Sequence, residues 1–197
     1  MDSIWGFVSD FGDTAVTVPL ALLMAAVLVA AGHFRMALGW CLAIIACAGL
    51  IGALKLVLSV CGYQSGGSVL ASPSGHTAMS TAVYGGFAAV LGAGLERPAR
   101  DAVTAAAVAL MLAIAASRAV LHYHSATEVA VGLAVGSLAL SGIVVLARRY
   151  QPVRLPVLTV AGAALAIALV FHGVRWPAEQ AIRRLGFWFE LLRPWCR

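Results

Sequence analysis

Charged residues are scarce in this chain of 197 residues. They make up 11% of the sequence, whereas hydrophobic residues make up 62%, and the mean hydropathy is +0.96. This composition excludes an ordinary soluble domain, in which about 25% of residues are charged. The chain instead contains a series of apolar runs close to the roughly 20 residues that the hydrocarbon core of a bilayer requires. We therefore expect an all-α, polytopic membrane protein in contact with the lipid bilayer.

Lysine is also rare, and cysteine motifs for metal binding and polar linkers are missing, although a disulfide between Cys61 and Cys196 stays open. Lys55 is the only lysine, and no CxxC or Cys/His metal spacing occurs. The formal net charge of +5 does not require nucleic acid, because basic loops of membrane proteins set orientation and meet anionic headgroups. No linker, low-complexity segment or repeat divides the chain. We expect one membrane-embedded domain over residues 1–197, whose oligomeric state stays open.

The first 13 residues lack the basic stretch of a signal peptide. They carry three aspartates and no positive charge, so we expect the first apolar run to be retained. The aromatic residues Trp5, Phe7 and Phe11 are typical of a segment at the membrane interface. This pattern predicts an interfacial N-terminal segment over residues 1–13.

Six apolar runs and an amphipathic tail follow. Small residues in the fifth run, such as Gly132 and Gly136, favour close helix packing rather than chemistry. In the tail, residues 174–197, apolar side chains recur at helical spacing with arginines and tryptophans between them, which is typical of an amphipathic helix on a membrane surface. The predicted spans cover about residues 14–31, 36–60, 102–116, 126–147 and 155–171, and the third span begins within residues 72–77 and ends near residue 95.

The arginines in the turns predict the orientation of the chain. The positive-inside rule places the turns after the first, third and fifth spans in the cytoplasm. The N-terminus and the loops near residues 76 and 124 then face outward, although the five arginines of the tail run against the rule. The turn arginines are Arg35, Arg97, Arg100, Arg148, Arg149 and Arg154.

The stretch SRAVLHYHSATE, residues 117–128, concentrates ionisable groups in an apolar chain. Such groups at the edge of a span are costly and mark pathways or reaction sites. If a helix begins near Ser125, His124 and Glu128 approach the same face. The carboxylate can then hold the proton on one imidazole nitrogen and leave the other free to attack. Arg118 offers a planar fork of donors suited to phosphate oxygens.

Two further elements have both a simple and a functional interpretation. Ser72-Pro73-Ser74-Gly75 is a good helix start, and a helix N-terminus also binds anions. The histidine that follows, His76, is not explained by a helix start alone. Lys55 either extends to the headgroups or belongs to the same anion site.

Together these residues resemble the type-2 phosphatidic acid phosphatase superfamily of integral membrane lipid phosphatases. Pro73-Ser74-Gly75-His76 matches its second motif. Ser117-Arg118, five residues, His124, three residues and Glu128 match its third, with Glu in place of Asp. The family's first motif is Lys, six residues and Arg-Pro, but Gly62 and Tyr63 stand where Arg-Pro is expected. The resemblance covers about residues 36–147.

The resemblance implies a division of roles among these residues. His124 would attack phosphorus and form a phosphohistidine, and Glu128 would orient and polarise it. His76 would protonate the leaving oxygen and then activate water, without a metal or another cofactor. His122 has no place in the motif and either makes a local hydrogen bond or contacts phosphate. The phosphate oxygens would be held by four groups: Lys55, Ser74, Gly75 and Arg118.

The same resemblance implies a lipid phosphate as substrate. The loop over residues 61–74 is short and uncharged, which favours a small headgroup on a long apolar chain. We expect hydrolysis of undecaprenyl diphosphate to undecaprenyl phosphate at the outer face of a bacterial inner membrane. The alternatives are a phosphatidylglycerol phosphate or phosphatidate phosphatase, a lipid phosphotransferase, and a non-hydrolytic lipid-binding or transport protein. The missing Arg-Pro favours the last of these, and the two motif histidines argue against it.

Overall fold

The structure is a computed structural model that describes residues 2–61, 64–65, 68–69, 72–150 and 155–176. In these ranges it is almost entirely helical, with one short antiparallel pairing of β1 (Gln64–Ser65) and β2 (Ser68–Val69). The predicted all-α, polytopic architecture is confirmed. The helices are α1 (Asp2–Asp10), α2 (Thr14–Ala30), α3 (Phe34–Cys61), α4 (Gly75–Gly92), α5 (Arg97–Val120), α6 (Ala126–Arg149) and α7 (Val157–Phe171).

Helices α2 to α7 correspond to the six predicted apolar runs, and α1 lies in the predicted interfacial segment. Helix α7 is apolar but shorter, and α4 is buried along most of its 18 residues. A helix surrounded by other helices meets protein rather than lipid, so α4 can carry Ser, Thr and Gly. Four stretches of the described residues are long and apolar enough to cross a membrane: Ile4–Ala30, Phe34–Leu58, Arg97–Val120 and Ala126–Arg149.

Helices α4 and α6 pack at very close range because α6 presents glycines. A Cβ atom added to Gly132 would lie 2.5 Å from the carbonyl oxygen of Ser74, and one added to Gly136 would lie 2.5 Å from that of Ala78. Only glycine allows the backbones to approach so closely. The packing interpretation of these two glycines is confirmed, whereas Gly142 faces open space. The first turns of α4 and α6 are therefore held side by side.

The apolar core is centred on Trp40 of α3. Its side chain is buried, its Nε1 donates a hydrogen bond to the Ala21 carbonyl of α2 at 2.9 Å, and its ring meets Phe87 of α4 edge to face. Burying an indole requires a partner for its N–H, which the α2 carbonyl supplies. This core joins α2, α3 and α4 into one unit.

Alternating helix directions bring several segments to one end of the bundle, which we call the histidine end. It contains the turn between α1 and α2, the C-terminal part of α3, the start of α4, the turn at residues 121–125 and the residues after α7. His172, directly after α7, contacts the carbonyl oxygen of Phe7 through Nε2 at 2.9 Å, and its ring packs against Phe7 and Phe11. Arg175 Nη2 lies 3.7 Å from Asp10 Oδ1. The segment after α7 thus fastens α1 to the bundle.

Two predicted boundaries differ from the structure. The charged residues 96–101 were expected to form a turn, but α5 already begins at Arg97, with Glu96 at the N-cap and Pro98 in the first turn. Proline suits that position because its missing N–H would have no helical partner there. The predicted amphipathic tail falls mostly outside the described residues. Its described part, residues 174–176, is not helical.

Candidate active site

The turn between α5 and α6 places His124 beside Glu128. Ser125 is the N-cap of α6, and its Oγ accepts a hydrogen bond from the Glu128 N–H at 3.3 Å. Glu128 Oε2 in turn accepts one from the Ser125 N–H at 3.1 Å, which completes a capping box. The same Oε2 atom lies 3.0 Å from His124 Nδ1. The predicted contact is confirmed, and it leaves Nε2 as the imidazole nitrogen that can attack.

Glu128 also holds the start of α4. Its Oε1 accepts a hydrogen bond from the Ser72 N–H at 2.7 Å, and its main-chain carbonyl accepts one from the Ser74 N–H at 3.1 Å. The buried Glu128 carboxylate is thus contacted by three N–H donors, from Ser72, Ser125 and the His124 ring. Such donors satisfy a buried charge. Through Glu128 the His124 turn and the Pro-Ser-Gly-His turn are joined directly.

We expect Glu128→Gln to lower both turnover and stability. An amide has a single acceptor oxygen, so its NH₂ group would face at least one of the three donors, and an unsatisfied buried donor costs about 1–3 kcal/mol. The measurement is phosphate release together with thermal unfolding in detergent. Glu128→Asp, which keeps the carboxylate, is the matched variant and should retain more activity. Full activity of the glutamine variant would show that the carboxylate does not orient His124.

The start of α4 carries the predicted phosphate-binding residues. Ser74 is fully buried and caps the helix, because its Oγ accepts from the Thr77 N–H at 3.4 Å and from the Thr77 hydroxyl at 2.9 Å. A Cβ atom added to Gly75 would lie 3.9 Å from Lys55 Cε, so the lysine side chain reaches the helix N-terminus. Lys55 is only 7% exposed. The alternative that Lys55 extends to the headgroups is therefore wrong.

Arg118 lies in the last turn of α5 and is positioned from two sides. Its Nη1 donates a hydrogen bond to Ser9 Oγ of α1 at 2.8 Å, and its guanidinium carbon lies 4.5 Å from the centre of the Tyr123 ring. A stacked, hydrogen-bonded guanidinium keeps its donor fork in a fixed plane. Ser9 and Tyr123 were not predicted, because no local pattern connects them with Arg118.

His76 projects from the first turn of α4 towards the turn between α1 and α2. Its Nε2 lies 3.4 Å from Asp13 Oδ2. The other oxygen of Asp13 caps α2 by accepting a hydrogen bond from the Ala15 N–H at 2.8 Å. The sequence showed Asp13 only as part of an acidic N-terminal segment, so this contact was not predicted.

The positive charges of Lys55 and Arg118 act on both His76 and His124. For His124, burial and then these two charges lower the pKa below its ordinary value, although the hydrogen bond with Glu128 acts in the opposite direction. A lowered pKa keeps the imidazole neutral near pH 7. A neutral imidazole has the lone pair that a nucleophile needs.

His122 differs from the other two histidines of the cluster. It is exposed, and its backbone is left-handed, with φ at 55°. Histidine is enriched among the non-glycine residues that adopt this conformation. The left-handed backbone therefore explains why a histidine can occupy this position of the turn. Gly62 and Tyr63, which stand where the family's Arg-Pro is expected, lie outside the described residues.

The seven predicted site residues come together at the histidine end. In the part of the chain that the structure describes, no group of three or more His, Cys, Asp or Glu side chains is arranged to hold a metal ion. Comparisons with family models, curated proteins and solved structures found no match for this chain.

Proposed function

We propose that the chain is a membrane lipid phosphatase of the type-2 phosphatidic acid phosphatase class, acting through a phosphohistidine. The observation that carries this proposal is the 3.0 Å contact between His124 and Glu128, at a site where the charges of Lys55 and Arg118 act on both His124 and His76. A binding site for phosphate needs positive charge. It does not need one imidazole held in a nucleophilic tautomer and another placed to exchange a proton.

In the first step, the lone pair of His124 Nε2 attacks phosphorus. The bond from phosphorus to the leaving oxygen breaks, and its electron pair goes to that oxygen, which takes a proton from His76. The Glu128 carboxylate stabilises the positive charge that develops on His124. Lys55, Arg118 and the N–H groups at the start of α4 neutralise the equatorial oxygens.

In the second step, water attacks the phosphohistidine. Its oxygen bonds to phosphorus while its proton passes to His76, which is restored to its starting state. The bond from phosphorus to nitrogen breaks, and the electron pair returns to His124 Nε2. The products are inorganic phosphate and a lipid that is one phosphate shorter.

The expected substrate is undecaprenyl diphosphate. The site lies at the ends of membrane helices, so a lipid headgroup reaches it by lateral diffusion. The segment over residues 61–74, which leads from α3 to α4, is short and contains no charged residue. That segment is too small to select a large headgroup, which favours a small phosphate group on a long chain.

The test is phosphate release by the purified full-length protein from undecaprenyl diphosphate, phosphatidylglycerol phosphate and phosphatidate, each at equal surface concentration. We expect the highest kcat/KM for the polyprenyl diphosphate. A tenfold preference for either phospholipid would identify that phospholipid as the substrate and would leave the proposed reaction unchanged. Release only when a second lipid is added as acceptor would identify a phosphotransferase. Binding of all three without release would identify a lipid-binding or transport protein.

The proposed orientation, with the histidine end outside the inner membrane, has its own test. In a cysteine-free variant, Ser68→Cys near the site should react with an impermeant maleimide on intact spheroplasts. The matched variant Ala99→Cys, on an exposed position at the opposite end, should react only after lysis. The charges explain this expectation, because Arg35, Arg97 and Arg148 lie at the opposite end. The reverse labelling pattern would invert the topology.

Activity should survive chelation of divalent metals. Two histidines supply the nucleophile and the proton, and cationic side chains neutralise the phosphate, so the proposed reaction needs no metal-bound water. Phosphate release is measured before and after dialysis against EDTA, and the rate should change less than about twofold. Loss of a catalytic group, such as a positioned acid or base, would instead change the rate roughly 10²–10⁴-fold. Loss of activity that Mg²⁺ restores would contradict the mechanism.

A further inference from the structure

We propose that Asp13 is a positioning residue for His76, so that the site contains two histidine–carboxylate pairs rather than one. The inference rests on the proposed phosphatase function. It gives the N-terminal segment, which carries Asp13, a role in that reaction. The motif residues all lie between Lys55 and Glu128, whereas Asp13 comes from the turn between α1 and α2.

The geometry fixes Asp13 on both sides. Its Oδ1 is held by the Ala15 N–H at 2.8 Å, which leaves Oδ2 directed at His76 Nε2 at 3.4 Å. The side chain of Asp13 is 9% exposed, and that of His76 is 25% exposed. A carboxylate fixed by a helix cap cannot rotate away without the loss of that cap. The contact between Asp13 and His76 is therefore held in place by the fold.

The turn that carries Asp13 is packed directly on His76. A Cβ atom added to Gly12 would lie 3.3 Å from His76 Cβ, so the absence of a side chain allows the close approach. Tyr84, farther along α4, donates a hydrogen bond from its hydroxyl to the Phe11 carbonyl at 2.7 Å. Helix α4 thus holds both the histidine and the turn that supplies its carboxylate.

The pairing matches what His76 must do in both steps. With Nε2–H held by Asp13, the proton given to the leaving oxygen comes from Nδ1–H. After that transfer, the remaining neutral tautomer has its proton on Nε2 and a lone pair on Nδ1. That lone pair is the base that accepts the proton of water in the second step. Asp13 therefore favours the imidazolium before the first step and the correct tautomer before the second.

The decisive variant is Asp13→Asn, because asparagine and aspartate are equally good N-caps. The substitution keeps the cap of α2 and removes the charge that stabilises the imidazolium. Asp10→Asn is the matched control: it removes the same charge three residues earlier, where the partner is the exposed Arg175. The full-length wild type and both variants are compared for release of the leaving group in the first turnover.

Two substrates separate a proton-transfer role from a structural one. The alkoxide that leaves phosphatidate is strongly basic and needs a proton, whereas nitrophenolate leaves nitrophenyl phosphate without one. We expect Asp13→Asn to lose about 10- to 100-fold on phosphatidate, less than the roughly 10²–10⁴-fold that the acid itself contributes, and less than about threefold on nitrophenyl phosphate. Asp10→Asn should stay within about twofold of wild type on both. The ratio between substrates does not depend on the fraction of protein that is folded.

Equal losses of Asp13→Asn on the two substrates would assign Asp13 a structural role and overturn the inference. An unchanged rate on phosphatidate would overturn it as well. Either result would leave the phosphatase proposal intact, because the wild type would still be active. A wild type that cleaves neither of these substrates nor the polyprenyl diphosphate would instead refute the proposed function, and the inference with it.

Discussion

Replacing His124 with alanine should abolish phosphate release from every lipid phosphate. Of the two histidine–carboxylate pairs in the described site, the proposed mechanism assigns the attack to His124, whose Nδ1 lies 3.0 Å from Glu128 Oε2 and whose Nε2 is left free. Loss of a nucleophile removes the covalent route altogether, so the decrease should exceed the 10²–10⁴-fold that proton transfer alone contributes. Steady-state phosphate release measures it.

The matched control is His122→Asn, two residues away in the same turn. Asparagine tolerates the left-handed backbone at this position, so the turn is kept. This variant should retain substantial activity, and the labelled phosphoenzyme should be trapped in wild type and His122→Asn but not in His124→Ala.

Because only neutral His124 can attack, kcat/KM of the wild type should fall with decreasing pH. The lowered pKa of His124 places that fall below the ordinary histidine range. Wild-type turnover by His124→Ala would remove the nucleophile from the mechanism.

Replacing His76 with alanine should cost about 10²–10⁴-fold in turnover, and it should change which intermediate accumulates. With a substrate whose leaving group needs no proton, such as nitrophenyl phosphate, His124 can still be phosphorylated. The water step then lacks its base. We therefore expect a burst of nitrophenolate followed by slow turnover, with the phosphoenzyme persisting on a gel.

The control for His76 is His33→Ala, a histidine at the opposite end of the bundle. It should leave both the burst and the steady-state rate unchanged. A His76 variant in which nitrophenolate release and phosphate release remain in step, at the wild-type rate, would show that His76 has no part in proton transfer. A variant with no burst at all would assign His76 to substrate binding.

The contacts that the sequence predicted are those formed within one turn of helix. His124 and Glu128 are four residues apart, so a helix start at Ser125 was enough to bring them together. Ser9, which accepts a hydrogen bond from Arg118, and Asp13, which lies beside His76, come instead from the N-terminal segment. Ser9 lies 109 residues from Arg118, and no spacing rule relates such positions.

Charge pattern alone was ambiguous at Lys55 and misleading at the start of α5. A lysine near the end of a span has the same sequence pattern whether it extends to water or is buried, and only packing against the start of α4 distinguishes the two. Arg97 and Asp101 looked like parts of a solvated turn. They are exposed residues of a helix, because Pro98 starts α5 several residues before the apolar run begins.

The attachment of α1 by the residues after α7 sets an order of events during biosynthesis. A nascent chain that has inserted α2 to α6 already contains every motif residue from Lys55 to Glu128. The contacts of His172 with Phe7 and of Arg175 with Asp10 cannot form until α7 and the residues directly after it have been synthesised. Helix α1 can therefore pack on α5 through the hydrogen bond between Ser9 and Arg118 before α7 is made, whereas its contacts with the residues after α7 are added only afterwards.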